Sequence, residues 1–327
     1  MSGVALVRAL REPGTVAKLD AAGWTALIAA ARAERLIGTL AFRIDEAMTP
    51  AAVRPILADA RVDADREARQ ALWEADRAAE ALGAPVLLLK GTAYVAAGLA
   101  AGEGRFIGDL DILVPRQMMN EVENRLNAAG WEWVKQDAYD DAYYRQWMHE
   151  LPPMIHRERD RMIDVHHTIL PLTARQRPDA GAMLADAVSI TERLSVLSPE
   201  DMVCHSVAHL LADGDLAGGL RNLWDIHCLL DRVDAERLAD RAKRHGIGKH
   251  VAQAQRLAAA LYGGQGEPLT LWDRVIVWRL LARDGWGRET RKLLRFGFYL
   301  RSHWLRMPPL MLARHLFTKW RKGHRPI

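Results

Sequence analysis

The apolar residues change their period at Gly83-Ala84-Pro85, and this break constrains the fold more than any other stretch of the chain. Before it, residues 58–82 are Ala, Arg, Glu and Asp with Leu72, Trp73, Ala79 and Leu82 inserted. That is a run of strong helix formers, and it predicts one long amphipathic helix. After it, Val86-Leu87-Leu88-Leu89 is a short all-apolar run closed by Lys90-Gly91, which suits a fully buried strand. Thr92 to Leu99 is small and apolar and reads as a short helix, followed by a glycine-bearing loop from Ala101 to Gly108. Asp109-Leu110-Asp111-Ile112-Leu113-Val114 is a second strand, closed by Pro115. Gln117 to Ala129 reads as a helix with Gly130 as its cap, because glycine tolerates the left-handed conformation that ends a helix. Trp131 to Val134 and Arg161 to His167 read as further strands, and Gln136 to Asp160 receives no assignment. The order from 85 to 170 is β-α-β-α-β-β, which makes the fold class α+β, a small mixed β-sheet flanked by helices.

The flanks read as helix. Trp24, Leu27, Ile28 and Ala31 form one buried stripe at i, i+3, i+4, i+7. Ser198-Pro199-Glu200-Asp201 is a helix start, with a capping hydroxyl, proline in the first turn and acids at the positive end of the dipole. Asp234 to His245 repeats that logic, with Gly246 as the stop. Three regions are expected: helical 1–82, a sheet-bearing core 83–197, and helical 198–327 with a basic tail. The eleven tryptophans are assigned to the core by default.

Several classes are excluded at this stage. No apolar run approaches the roughly 20 residues of a membrane-spanning helix, and Arg8 and Arg11 interrupt the N-terminus before a signal core can form. Cys204 and Cys228 have no framework or zinc-ribbon spacing, so a reducing cytoplasmic location is expected. The net charge of +4 is unevenly placed: residues 287–327 hold 11 basic side chains against Glu289 alone. This asymmetry points to an acidic partner for the tail. Leu293, Leu294, Phe296, Phe298, Tyr299, Leu300, Trp304 and Leu305 alternate with Arg291, Lys292, Arg295, Arg301 and Arg306, so part of the tail must pack as a last helix with a solvated basic face. Beyond Pro308-Pro309, Leu312, Leu316, Phe317 and Trp320 suggest a short basic helix for peripheral contact with an anionic membrane or an acidic partner.

Asp109 and Asp111 are two apart on a strand, so both side chains leave one face, about 6–7 Å apart along it. Two carboxylates so placed can share a divalent cation, whereas burying them without one is expensive. A strand ending in Lys90-Gly91, a helix, a glycine-bearing loop and then Gly108-Asp109-x-Asp111 can set phosphates beside carboxylates that hold Mg²⁺.

Leu89-Lys90-Gly91, Arg105-x-x-Gly108-Asp109-Leu110-Asp111-Ile112-Leu113-Val114 and Ile163-Asp164-Val165-His166-His167 resemble the largely uncharacterised bacterial branch of the DNA polymerase β-like nucleotidyltransferase superfamily. The resemblance covers residues 85–170, and extends weakly through His209, Arg221 and Asp225. It implies that Asp109, Asp111 and Asp164 are the catalytic carboxylates and hold two Mg²⁺ ions. Lys90, Gly91, Thr92, Arg105 and His166 then serve nucleotide binding, although Lys90-Gly91-Thr92 stands where the superfamily usually has Gly-Ser. Lys90 and Arg105 would neutralise the β- and γ-phosphates as pyrophosphate leaves. The implied activity is transfer of a nucleoside monophosphate from a nucleoside triphosphate, such as ATP, to a hydroxyl or phosphate acceptor. A small molecule, a sugar phosphate or a peptide is the expected acceptor, with nucleic acid left open. On this reading Asp109→Asn or Asp111→Asn abolishes turnover and leaves the melting temperature equal or higher, because carboxylate repulsion is relieved.

Two alternatives stand beside it. One is a degenerate nucleotide-binding regulatory or antitoxin-like module. The other is a glycosyltransferase using Asp-x-Asp, which would normally have an extended α/β half upstream where this chain is helical. His205 and His209 share i, i+4 spacing, but Ser206 follows His205 where a zinc protease needs Glu. Arg221 and Asp225 read as a helix ion pair worth a few tenths of a kcal/mol, or as an arginine reaching the nucleotide.

Overall fold

The computed structural model describes residues 2–306, apart from Gln136, Asp137, Ala217 and Gln265, together with Leu312 and Ala313. The second half of the basic tail, 314–325, lies outside the described residues. Four helices lead the chain: α1 (Ser2–Arg11), α2 (Ala21–Ala33), α3 (Ile37–Arg43) and α4 (Arg54–Leu82). The Asp20 side chain accepts from Gly23 N and starts α2, whose Trp24, Leu27, Ile28 and Ala31 are buried as their spacing predicts. Helix α4 buries an alanine-rich stripe, including Ala60, Ala64, Ala71, Ala75 and Ala78, which lets α3 and the sheet approach closely. It stops at Gly83, which takes the left-handed conformation at φ 59°.

The middle of the chain runs β1 (Val86–Leu88), α5 (Lys90–Ala96), β2 (Asp109–Leu113), α6 (Met119–Ala128), β3 (Trp131–Trp133), α7 (Ala138–Trp147), β4 (Met154–His156), β5 (Met162–His166), α8 (Ala180–Ala185), β6 (Val188–Ser189) and β7 (Leu194–Val196). The strands form one mixed sheet in the order β3-β4-β5-β2-β1-β7-β6, with helices around it. β2 lies parallel to β5 and β1 parallel to β7, while the remaining pairs are antiparallel. Leu110, Ile112, Ile163 and Val165 are buried, so the opposite pleat of the central pair is free to carry polar groups. The segment 136–160, unassigned from sequence, holds α7 and β4.

The rest is helical: α9 (Pro199–Val207), α10 (Gly219–Leu230), α11 (Ala235–Arg244), α12 (Gly248–Tyr262), α13 (Leu271–Leu280) and α14 (Lys292–Arg306). Ser198 caps α9 by accepting from Asp201 N, and Asp234 caps α11 through Glu236 N and Arg237 N. Asp201 is fully buried and is compensated by Arg241 and by His245 Nε2 at 2.7 Å, which ties α9 to α11. No helix among the described residues is long and apolar enough to cross a membrane.

The core assignment of the tryptophans fails. Trp24, Trp131 and Trp224 are buried, whereas Trp73, Trp147, Trp272, Trp278, Trp286 and Trp304 are exposed. An indole is large enough that helical spacing alone does not say which side of the helix it occupies, and several of these rings lie under arginine guanidinium groups instead.

Candidate active site

Parallel pairing of β2 with β5 places Asp111 directly opposite Asp164 in register, with Asp109 one pleat along on the same face. One carboxylate oxygen from each of Asp109, Asp111 and Asp164 lies within 4.8 Å of the other two. Asp111 is buried, Asp164 half-buried and Asp109 exposed, so the group opens outward along the strand. Burial, and then the Asp111 charge, push the Asp109 carboxyl up. The same two causes, with Glu150 added, push Asp164 up to about 7. Its Oδ1 is buried and accepts no hydrogen bond.

Asp111 behaves in the opposite way. Burial alone would raise its pKa, but the Lys90 ammonium and His166 hold it well below the usual carboxylate range. Lys90 Nζ stands 2.6 Å from Asp111 Oδ1, and His166 Nε2 stands 2.9 Å from the same oxygen. The backbone explains the approach: Leu89 N donates to Asp111 O at 2.9 Å, and Lys90 then turns with φ 48°, a left-handed conformation rare for a residue with a side chain. Conversely, Asp111 raises the Lys90 pKa against the pull of burial. This arrangement corrects one expectation. Asp111→Asn would relieve repulsion but leave Lys90 without its partner, so only Asp109→Asn retains the expected neutral or positive effect on stability.

His149 and Glu150 reach this face from the segment that was unassigned in sequence. Glu150 forms an isolated antiparallel bridge with His166, and its Oε2 lies 3.3 Å from His166 Nδ1. The His149 ring centroid is 5.3 Å from that of His166. Burial holds His149 and His205 well below the usual imidazole range, and His209 falls to about 4 through burial and Lys90. His205 lies in the last turn of α9, while His209 sits in a π-helical turn over Ala208–Ala212. Among the described residues neither joins a group of three donor side chains that could hold a metal. Glu150 had no sequence signal, because it sits beyond Trp147 in a stretch of mixed aromatic and charged residues with no period.

The Arg105 guanidinium is held in an ion pair with Asp225 and lies over the Tyr94 ring at 5.6 Å, and its charge also acts on Asp109 and Asp111. Asp225 also accepts from Arg221 Nε at 3.0 Å, and Arg221 donates on to Thr39 Oγ1 and Ala101 O. Arg221 is therefore committed to a buried network joining α3, the 101–108 loop and α10, and does not reach outward toward a nucleotide. Being buried, the network is more than a surface pair worth a few tenths of a kcal/mol. Gly91 serves the same network: a Cβ there would stand 2.5 Å from Arg105 Nε. Thr92, the next residue of α5, is buried, and its hydroxyl has no hydrogen-bond partner.

The donor set on β2 and β5 fits a hard divalent cation. It is made of oxygens, one of them buried and unpartnered, and two of its carboxyls are raised as expected of acids lacking counter-charge. A family model described as an uncharacterised nucleotidyltransferase matches residues 20–263, which takes in α2 to α4, the sheet itself and α9 to α12. No curated protein matches the sequence.

Proposed function

Because the chain belongs to the uncharacterised nucleotidyltransferase family, we propose that it is a Mg²⁺-dependent enzyme of the DNA polymerase β-like superfamily that transfers a nucleoside monophosphate from a nucleoside triphosphate to a hydroxyl or phosphate acceptor. The observation that carries this reading is the in-register opposition of Asp111 and Asp164, with Asp109 beside them and the Asp164 Oδ1 unpartnered. Asp109, Asp111 and Asp164 would hold two Mg²⁺ ions. Bound there, such ions supply charge neutralisation for the triphosphate and activation of the acceptor oxygen, as two-metal phosphoryl-transfer sites require.

The chain's own groups divide the remaining work. Lys90, which pairs with Asp111 at 2.6 Å, would be free to meet the phosphates once a divalent cation neutralised that carboxylate. His166 donates to Asp111 Oδ1, and Glu150 Oε2 stands 3.3 Å from its other ring nitrogen without a hydrogen bond, so the histidine would keep the carboxylate oriented while its counter-charge changed. Gly91 and Thr92, at the start of α5, are the residues set beside Lys90 for phosphate contact, and the Thr92 hydroxyl has its hydrogen-bonding capacity unused. Arg105, oriented by its pair with Asp225 and acting on Asp109 and Asp111, would join Lys90 in neutralising the phosphates.

An α-labelled nucleoside triphosphate, Mg²⁺ and a panel of sugar-phosphate, peptide and nucleic-acid acceptors test this. Label transfer by the wild type should be lost in Asp109→Asn, which keeps its melting temperature. Unchanged turnover in that variant and in Asp111→Asn would end the nucleotidyltransferase reading. Tight nucleotide binding without turnover on any acceptor would favour the regulatory module instead.

A further inference from the structure

Helix α14 shows solvent a face that an ordinary last helix would bury. Leu293, Phe296, Leu300 and Trp304 recur at spacings of three, four and four, so they form one stripe about 16 Å long. All four are exposed, Leu293 at 89%. The helix docks through another side, where Phe298 and Ser302 are buried. Helix α13 lies alongside: the Trp272 ring stacks on Phe298 at 5.5 Å, and Arg291 of the loop before α14 lies over Trp278 at 4.4 Å. Leu271, Trp272 and Trp278 are exposed as well, Leu271 at 81%. The stripe of α14 thus faces away from the side on which Trp272 stacks, and α13 adds exposed apolar side chains next to the helix. Residues 287–306 carry six basic side chains against Glu289, which is itself paired with Arg279 and Arg295, while Arg306 at the end of the helix is taken by Asp213 and Asp215.

We propose that the α13–α14 face is a docking surface for an anionic lipid bilayer, with Leu293, Phe296, Leu300 and Trp304 entering the boundary between headgroups and acyl chains. Leucine, phenylalanine and tryptophan along one side of a helix, with lysine and arginine flanking them, is the composition of a helix that lies in the plane of a membrane surface. Arg301 lies over the Trp272 ring at 5.7 Å but its Nη1 donates to Gly214 O at 3.1 Å, so its head is committed within the fold and Lys292, at the start of the helix, is a cation that can meet phosphate. A second copy of this chain is a poorer occupant, because a two-fold interface brings the same patch from both sides and sets cationic flank against cationic flank. A protein partner would need a concave, acidic groove; a bilayer conforms to a convex helix without one.

Vesicle sedimentation of the full-length protein decides this, using phosphatidylcholine and phosphatidylglycerol in equal parts against phosphatidylcholine alone. The expected result is pelleting with the anionic vesicles, greater by about tenfold than with neutral ones. It should fall sharply near 1 M salt, where the Debye length is about 3 Å. The double substitution Leu293→Asp and Leu300→Asp, at exposed positions away from the carboxylates of β2 and β5, should abolish pelleting while leaving the melting temperature and nucleotide binding unchanged. Absence of pelleting in the wild type overturns the proposal, as does equal pelleting of the double variant. A dimer in sedimentation velocity that the double substitution dissociates also overturns it, because the stripe is then covered by a second copy.

Discussion

Replacing Asp164 by asparagine should stabilise the cation-free protein, and should do so more at high pH than at low. The Asp164 carboxyl is held at about 7 against an ordinary 3.8, by burial and by the charges of Asp111 and Glu150. The folded chain therefore keeps a proton that the unfolded chain gives up above about pH 4, and stability falls as pH rises from there through 7. A difference of about three in pKa, at roughly 1.4 kcal/mol each, bounds the full cost at ~4 kcal/mol once the group ionises. Asp164 is only half-buried, and water reaching it reduces this to about 2 kcal/mol. Near pH 5 less than half of that cost has accumulated. Asp164→Asn should then exceed the wild type by under about 1 kcal/mol near pH 5 and by about 2 kcal/mol near pH 8, a growing gap of some 2 to 4 °C in melting temperature. Differential scanning calorimetry of both proteins in chelator measures this, and comparing the gap at two pH values removes the titration of every other group. Mg²⁺ should reverse the order, since a ligand at about 100 times its dissociation constant adds about 2.7 kcal/mol to a protein that binds it. A gap that does not change with pH would refute the burial and charge argument for Asp164. An unchanged order in saturating Mg²⁺ would refute its place among the cation ligands.

Lys90→Ala should act in the opposite sense: it strips the buried Asp111 of its counter-charge and costs about 2–4 kcal/mol without metal, with much of that recovered when Mg²⁺ is added, as read from melts with and without the ion. Asp225→Ala leaves Arg105 and Arg221 buried together without their shared carboxylate, so urea denaturation should show a loss of about 3–5 kcal/mol that Mg²⁺ does not restore.

The sequence carried the strand that holds Asp109 and Asp111 because its neighbours alternate cleanly between apolar and acidic, and a period of two admits one reading. It carried Asp164 less directly. Nothing in Ile163-Asp164-Val165-His166 says which strand it pairs with, and the register that sets Asp164 opposite Asp111 arises from a parallel crossover of some fifty residues. β6 and β7 were missed for a different reason: two or three residues are too few to establish any period, and Leu194-Ser195-Val196 becomes a strand because the edge of β1 is there to pair with it. Glu150 was invisible because its position depends on a bridge to His166 across the sheet. The pairing of Arg105 with Asp225 was not legible, because the two are 120 residues apart in sequence and one ion pair apart in space.

The distribution of charge over the three carboxylates explains how such a cluster can fold before any cation arrives. Three ionised acids within 4.8 Å of one another would repel strongly in a partly buried site. The structure resolves this unevenly. Asp111, the most buried, receives both the Lys90 ammonium and the His166 donor on one oxygen, while Asp109 and Asp164 have no comparable partner and meet the field with raised pKa values. Stability is therefore spent at two carboxylates and secured at the third. On the proposed reading a divalent cation would relieve the first two and compete with Lys90 for the third, so the group displaced would be a positive charge beside the turn where phosphates would lie.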